Sequence, residues 1–435
     1  MASPTTLGLV SLYRLALEHD ASLAAARHRR DAGLEARAQG RAGLLPEFRL
    51  SGEYARGREW AGRPGPSGEV VQAQQGFTNA RYQASLTQPL FRLDAWYGYR
   101  EGRAGARVAQ LEFEQRLQRF NGEFLEAYLE AMGAQVTVRT LDSRVEAALA
   151  QAHQASARLQ AGLASRLDVS EARAELKTAE LELVRARSAE HAALQALAGL
   201  TGHFHPGVAA LADRFDPRQH THPPLDRLLE AGRLRNKRVR LLEAATERAR
   251  LQRKAVMADF APSLDLTLTA SHEQNALEGN AARGGLRDNQ TESVVVGIQF
   301  SMPLFSGGHS VSAYRQARAE QEEAHEKRRE ALTDARETIR VNVRNLHSLR
   351  QAVSAAEVSV ATEEERVLAT EQALASGIRD TVDVLRAQRS LYGARREYEQ
   401  ARIDYLAVLG RLHQQTGTMN RAFLQKVNGW LQGEA

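Results

Sequence analysis

The chain is 435 residues long and sets 58 Lys and Arg against 53 Asp and Glu, a net charge of +5, with Arg interleaved among Glu as on solvated helix faces, so no nucleic-acid partner is expected. Its 43% hydrophobic share is dominated by Ala and Leu with only 6% aromatic residues, which suits long packed helices rather than an enzyme core. Cysteine is absent, which removes thiol catalysis, Cys-based zinc sites, disulfides and a thioether-linked lipid, and no run approaches the roughly 18 uninterrupted apolar residues of a membrane-spanning helix.

The opening MASPTTLGLV lacks the basic segment and apolar core of a secretory signal, leaving a cytosolic protein or a mature exported chain given a new Met. A helix is predicted over Ser22–Gly43, stopped by Pro46. Two strands of about ten residues follow, the length that crosses a bilayer when tilted. In them Phe48, Leu50, Gly52 and Tyr54, then Ala80, Tyr82, Ala84 and Leu86, alternate with mostly polar neighbours. The polar, Gly-rich run Gly57–Gly76 between them reads as a long hairpin loop, and aromatics gather past the other end at Phe91, Trp96, Tyr97 and Tyr99. From Leu93 to about Gly162 no proline intervenes, enough helix for a rod of about 100 Å. A turn at Gly162 then leads into a shorter helix whose stripe of Val169, Ala172, Leu176, Ala179, Leu183 and Ala186 steps by threes and fours, as in a coiled coil.

The whole order then recurs. Pro46 is matched by Pro262, Pro89 by Pro303, Phe91 by Phe305, Gly162 by Gly377, Asp168 by Asp383 and Gly202 by Gly417, always 214 to 216 residues on. The second copy predicts a helix over Asn236–Asp259, a strand through Leu264, Leu266, Leu268 and Ala270, a polar loop over Glu273–Gln290 and a strand through Val294, Val296, Ile298, Phe300 and Met302. A long helix from Ser310 to about Ser376 and a return helix through Val384, Ala387 and Leu391 complete it. The chain therefore divides into a first repeat over 1–202 with its hairpin at about 47–90, a linker over 203–223, a second repeat over 224–417 with its hairpin at about 263–304, and a tail over 418–435. Four such strands cannot close a barrel, and an open edge in lipid leaves backbone groups unpaired, so a chain that spans must oligomerise.

Hairpins and rods punctuated by QPLF at Gln88–Phe91, MPLFSGG at Met302–Gly308 and GIRDTVDVL at Gly377–Leu385 resemble the TolC family of outer-membrane efflux and secretion channels, over essentially the whole chain. The resemblance implies a mainly α fold with a β-barrel part, in which three duplicated chains form a twelve-stranded outer-membrane β-barrel continued by a twelve-helix periplasmic α-barrel. It also implies a Gram-negative outer membrane as location, a removed signal peptide, and no enzymatic activity and no cofactor. The partners it implies are two further copies of the chain, a periplasmic adaptor protein, an inner-membrane transporter and outer-membrane lipid.

Residue by residue, the resemblance places a periplasmic gate at Asp168, Leu374, Arg379, Asp383 and Arg386. Arg379 stands where family members carry an arginine tied to an aspartate of the other turn, here Asp168, and Asp383 where an inward-facing aspartate forms an acidic ring. The second acidic position of that ring is Arg386 here, and Leu374 replaces an aromatic partner. Ala161, Gly162 and Leu163, with Ser376, Gly377 and Ile378, occupy the adaptor-docking turns, with Ala and Ser where the family more often has Val. Strand alternation makes Leu264, Leu266, Val294, Val296, Ile298 and Phe300 the expected membrane-facing set.

No phosphate loop, nucleophile elbow or acid/base pair appears. His203, His205, His220 and His222 of the linker fit a metal by spacing alone, with no carboxylate pattern beside them. The expected function is an exit duct for small molecules or secreted proteins, engaged by a tripartite efflux pump or a type I secretion system. The alternative from a different class is a soluble coiled-coil scaffold carrying two β-hairpins.

Overall fold

The computed structural model describes residues 8–64, 70–278 and 289–432. Its chain folds into two compact units, one holding residues 30–110 and 243–327 and the other everything else.

The first of these contains a four-stranded antiparallel sheet, β1 (Glu47–Pro64), β2 (Val70–Phe91), β3 (Ser263–Glu278) and β4 (Asn289–Ser301), in the order β1-β2-β3-β4. Phe48 lies opposite Leu86, Leu86 opposite Leu268 and Leu268 opposite Val296, so the alternating apolar residues of all four strands share one face. The strands are longer than expected, at 18, 22, 16 and 13 residues. Most of Gly57–Gly76 is therefore ladder rather than loop: pairing runs out to Pro64 opposite Val70, and 65–69 lie outside the described residues. Likewise Glu273–Glu278 is strand and pairing resumes at Asn289, with 279–288 outside the described residues. The strict alternation of apolar and polar residues is lost in these stretches of the sequence, whereas the ladder needs only backbone N–H and C=O groups.

The helix expected over Ser22–Gly43 is two helices, α2 (Ala21–Leu34) and α3 (Ala36–Ala42), parted at Glu35. Around that break the backbone approaches α4 (Leu93–Gln160) so closely that a Cβ on Gly33 or Gly102 would collide with Ala109 or the Ala36 carbonyl. Its counterpart in the second copy, α7 (Lys237–Ala258), is unbroken.

The long helices stand as expected. α4 has 68 residues and α8 (His309–Ala375) 67, and they return through α5 (Arg166–Thr201) and α9 (Thr381–Gln415). In the helical unit a core joins Leu12 and Tyr13 of α1 (Leu9–His19), Phe124 and Tyr128 of α4, Leu406 and Leu409 of α9 and Phe423 of α10 (Arg421–Asn428). Within it Tyr13 donates to Asn121 Oδ1 at 2.8 Å, and Asn121 Nδ2 donates to the Met419 carbonyl at 3.1 Å.

α1 and α6 (Leu225–Arg235) extend the repeat beyond the expected elements, with Leu12 and Leu228 buried at matching positions. Asp20 and Asn236 follow them and cap the next helices, accepting from Leu23 N at 2.6 Å and Val239 N at 3.1 Å. The linker is fastened by Arg402, which is 1% exposed and donates Nη2 to the carbonyls of Ala212 at 2.6 Å and Phe215 at 3.0 Å. The tail pairs with it through a Leu211–Leu431 bridge. Among the described residues no group of three or more His, Asp or Glu is placed to hold a metal, and His220 instead packs edge-on to Trp430 at 4.3 Å.

Candidate functional site

Both hairpin turns end their long helix in the same way. Gly162 has φ +76° and Gly377 φ +73°, the left-handed conformation that only glycine adopts without strain. At the first turn Gly162 N donates to Leu159 O at 3.0 Å and Leu163 N to Arg158 O at 2.8 Å; at the second Gly377 N donates to Leu374 O at 3.1 Å and Ile378 N to Ala373 O at 2.9 Å. This is the Schellman arrangement, and it ordinarily tucks the residue after the glycine against its own helix. Here Leu163 and Ile378 stay 71% and 77% exposed, so both turns present an aliphatic side chain outward, while Leu374 is buried.

The recurring aspartate has a local cause. Ser165 N-caps α5, with Asp168 N donating to Ser165 Oγ at 3.2 Å and Ser165 N donating to Asp168 Oδ2 at 2.7 Å, a capping box. In the second copy Asp380 caps α9 by accepting from Asp383 N at 2.9 Å, which leaves the Asp383 carboxylate free for side chains. It takes Arg379 at 3.2 Å and Arg386 at 3.9 Å. The expected tie between Arg379 and Asp168 is thus not made within this chain: Arg379 pairs with Asp383 at the start of α9, and Asp168 is occupied by its cap.

Further along, a charged cluster that sequence reasoning missed joins the two hairpins. Arg144 of α4, 8% exposed, pairs with Glu175 at 2.6 Å and Glu182 at 2.5 Å, both on α5. Burial alone lowers the pKa of this guanidinium, but the hydrogen bonds and charges of Glu175 and Glu182 outweigh it and hold the pKa above its ordinary value. Glu175 also takes Arg389 of α9 at 2.9 Å, and beside it Tyr392 Oη donates to the Ser143 carbonyl at 3.2 Å. Leu385 of α9 packs with Ala152, Ala155, Val169 and Ala172 of the other hairpin. The signal was present, since Glu175 and Glu182 are seven apart and flank the α5 apolar stripe where coiled coils place interhelical salt bridges.

On the sheet, Leu264 faces Phe300, Leu266 faces Ile298, Leu268 faces Val296 and Ala270 faces Val294 across β3 and β4. Val294, Val296, Ile298 and Phe300 are 66–73% exposed, an uncovered apolar surface. The next pair on that face is His272 with Glu292 at 3.2 Å, which ends it. The opposite face is mostly polar, with Val295 among the exceptions, and carries the cross-strand ion pair Arg81–Glu273 at 2.8 Å. No helix among the described residues is long and apolar enough to cross a membrane.

A twice-repeated helical hairpin joined to a sheet with an uncovered apolar face defines a TolC-like channel protein. Residues 12–203 and 228–418 match the outer membrane efflux protein family; the chain belongs to that family and is an outer-membrane protein of a Gram-negative bacterium. It is 30% identical to the alkaline protease secretion protein AprF of Pseudomonas aeruginosa, over 97% of this chain and 86% of that one. It is 27% identical to the proteases secretion protein PrtF of Dickeya chrysanthemi over 99% and 92% of the two chains, and 26% identical to outer membrane protein TolC of Escherichia coli over 97% and 85%. The fold is also that of the Campylobacter jejuni CmeC outer membrane channel, with a TM-score of 0.78 at 18% identity over 97% of this chain and 89% of that one.

Proposed function

We propose that three copies of this chain form a channel that serves as the outer-membrane exit duct of a type I secretion system, carrying a protein out of the cell. The observation that carries the reading is the apolar face of the sheet, combined with edge strands β1 and β4 that each pair on one side only. Its four apolar rows on β3 and β4 lie roughly 6.8 Å apart and span about 20 Å along the strands, a continuous apolar band of the kind that faces lipid in outer-membrane barrels. In this reading Leu264, Leu266, Val294, Val296, Ile298 and Phe300 face lipid, and three sheets of four strands give 3 × 4 = 12 strands with no open edge. The long hairpins continue the wall into the periplasm. Asp168, Leu374, Arg379, Asp383 and Arg386 form the gate there, and the turns at Ala161–Leu163 and Ser376–Ile378 meet a periplasmic adaptor linked to an inner-membrane transporter. The outward Leu163 and Ile378 support that docking role.

Protein cargo is favoured because AprF and PrtF, matched over nearly the whole chain, are named for protease secretion. A second reading, export of metal ions or other small molecules, draws on 29% identity to the cobalt-zinc-cadmium resistance protein CzcC of Cupriavidus metallidurans, over 69% of this chain and 66% of that one. Deleting the chain from its host separates the two. Loss of specific proteins from the culture medium with unchanged susceptibility to drugs and metals supports the secretion duct, and the reverse pattern supports efflux.

A further inference from the structure

The helical unit holds a cavity of about 530 Å³ between the linker, α6, α9 and α10, away from the turns and the sheet. That volume is typical of sites that take small organic ligands. Its floor is apolar and buried: Leu228 of α6, Leu409 and Leu412 of α9, and Phe423 of α10. His413 continues the floor, stacked on Phe423 with ring centroids 4.0 Å apart and Nδ1 2.7 Å from Thr418 Oγ1. Burial first, then the charges of Lys426 and His220, lower its pKa to about 4, so at neutral pH it is an uncharged ring.

The rim is different. Arg227, Arg235 and Lys426 are exposed there, and among the described residues none of the three has a carboxylate in ion-pair reach. Lys426 Nζ instead sits 5.5 Å from the Trp430 ring centroid. Among the described residues Glu230 is the one acid lining the cavity, so three cations stand against one carboxylate over an apolar floor. A neutral hydrophobe would fill the floor and leave the rim unused, and an inorganic anion would do the reverse. We propose that this cavity binds a small hydrophobic anion, an aromatic or short aliphatic carboxylate or sulfonate, with its body on Leu409, Leu412 and Phe423 and its charge toward Lys426 and Arg235. Such a ligand would tie α6, α9 and α10 together, and its binding does not depend on which cargo the duct carries.

The test uses the full-length protein in nanodiscs of phosphatidylcholine, titrated calorimetrically with 2-naphthoate and with its neutral analogue 2-naphthylmethanol, against empty nanodiscs. Saturable binding of one naphthoate per chain, about tenfold tighter than the alcohol, is the expected result. Arg235→Gln combined with Lys426→Gln should erase that preference and leave alcohol binding intact, while Ala231→Trp, or Leu234→Trp at the exposed edge of the same cavity, should remove both. Naphthoate uptake no greater than that of empty nanodiscs, equal affinity for acid and alcohol, or binding that survives both tryptophans would overturn the proposal.

Discussion

Asp383 holds two guanidiniums with one carboxylate, Arg379 at 3.2 Å and Arg386 at 3.9 Å, so the acidic position at the second turn is locally outnumbered. Repeated around a pore, that arrangement gives no net negative charge at the mouth, and the wild-type channel should show at most weak cation preference. Arg386→Asp reverses the balance by adding an acid one helical turn from Asp383. Cation preference, read from reversal potentials in planar bilayers, and block by trivalent cations should both rise; unchanged values would remove these residues from the constriction. His413 carries a second prediction. Its folded pKa is about 4 against an ordinary 6.5, because burial and the nearby Lys426 and His220 disfavour the cation. Between those values the unfolded chain binds a proton that the folded chain does not, so stability is full above about pH 6.5 and falls as pH drops toward 4, by up to about 1.4 kcal/mol per unit. His413→Asn keeps a polar atom near Thr418 Oγ1 but does not titrate. The drop in thermal midpoint between pH 7.5 and 5 should therefore be smaller in the variant, and still present because burial lowers the His220 pKa in the same direction.

Among the elements, the link between hairpins rests on Glu175, which lies between Arg144 of its own hairpin and Arg389 of the other. Arg389→Ala removes the ion pair to Glu175 but leaves the Tyr392–Ser143 hydrogen bond, the Leu385 packing and the Arg144 pairs with Glu175 and Glu182 in place, so the α4–α5 hairpin should keep its stability while α9 is held less firmly against it. Mean single-channel conductance should increase in Arg389→Ala and return toward wild type in Arg389→Lys; no change in either would mean that the contact does not restrain the duct. How legible these elements were depended on whether a pattern repeated. The long helices, the turn glycines and the apolar face of each strand were readable because period, φ requirement and alternation are local and occur twice. The full strand lengths were not, since backbone pairing continues past Tyr54 and Ala270 without an apolar signature. Helix α1 was overlooked although Leu9, Leu12, Tyr13 and Ala16 follow the helical period, and the Glu175 cluster was hidden because each of its charges alone resembles a solvated helix face. Asp168 and Asp383 were found by their recurrence, but only the capping geometry shows why they diverge: the first is consumed by Ser165 and the second is left to arginines.

For the whole molecule, the decisive feature is what the sheet lacks. In water an open edge is merely solvated, but across a bilayer each unpaired N–H and C=O is costly, so in the proposed trimer β1 of one copy should meet β4 of the next. The chain contains no cysteine, so an engineered pair reports on that junction without background. With Leu50→Cys on β1 fixed and single cysteines scanned along β4 from Ser293 to Ile298, oxidation in membranes should cross-link one or two neighbouring positions efficiently, because a paired ladder brings only those Cβ atoms within disulfide reach. Within one chain β1 and β4 are separated by β2 and β3, so a bond between them must join two copies. Covalent species up to three chains and no larger are expected on denaturing gels. Cross-linking that is equally weak at every β4 position, or ladders that continue past three, would refute closure by three copies.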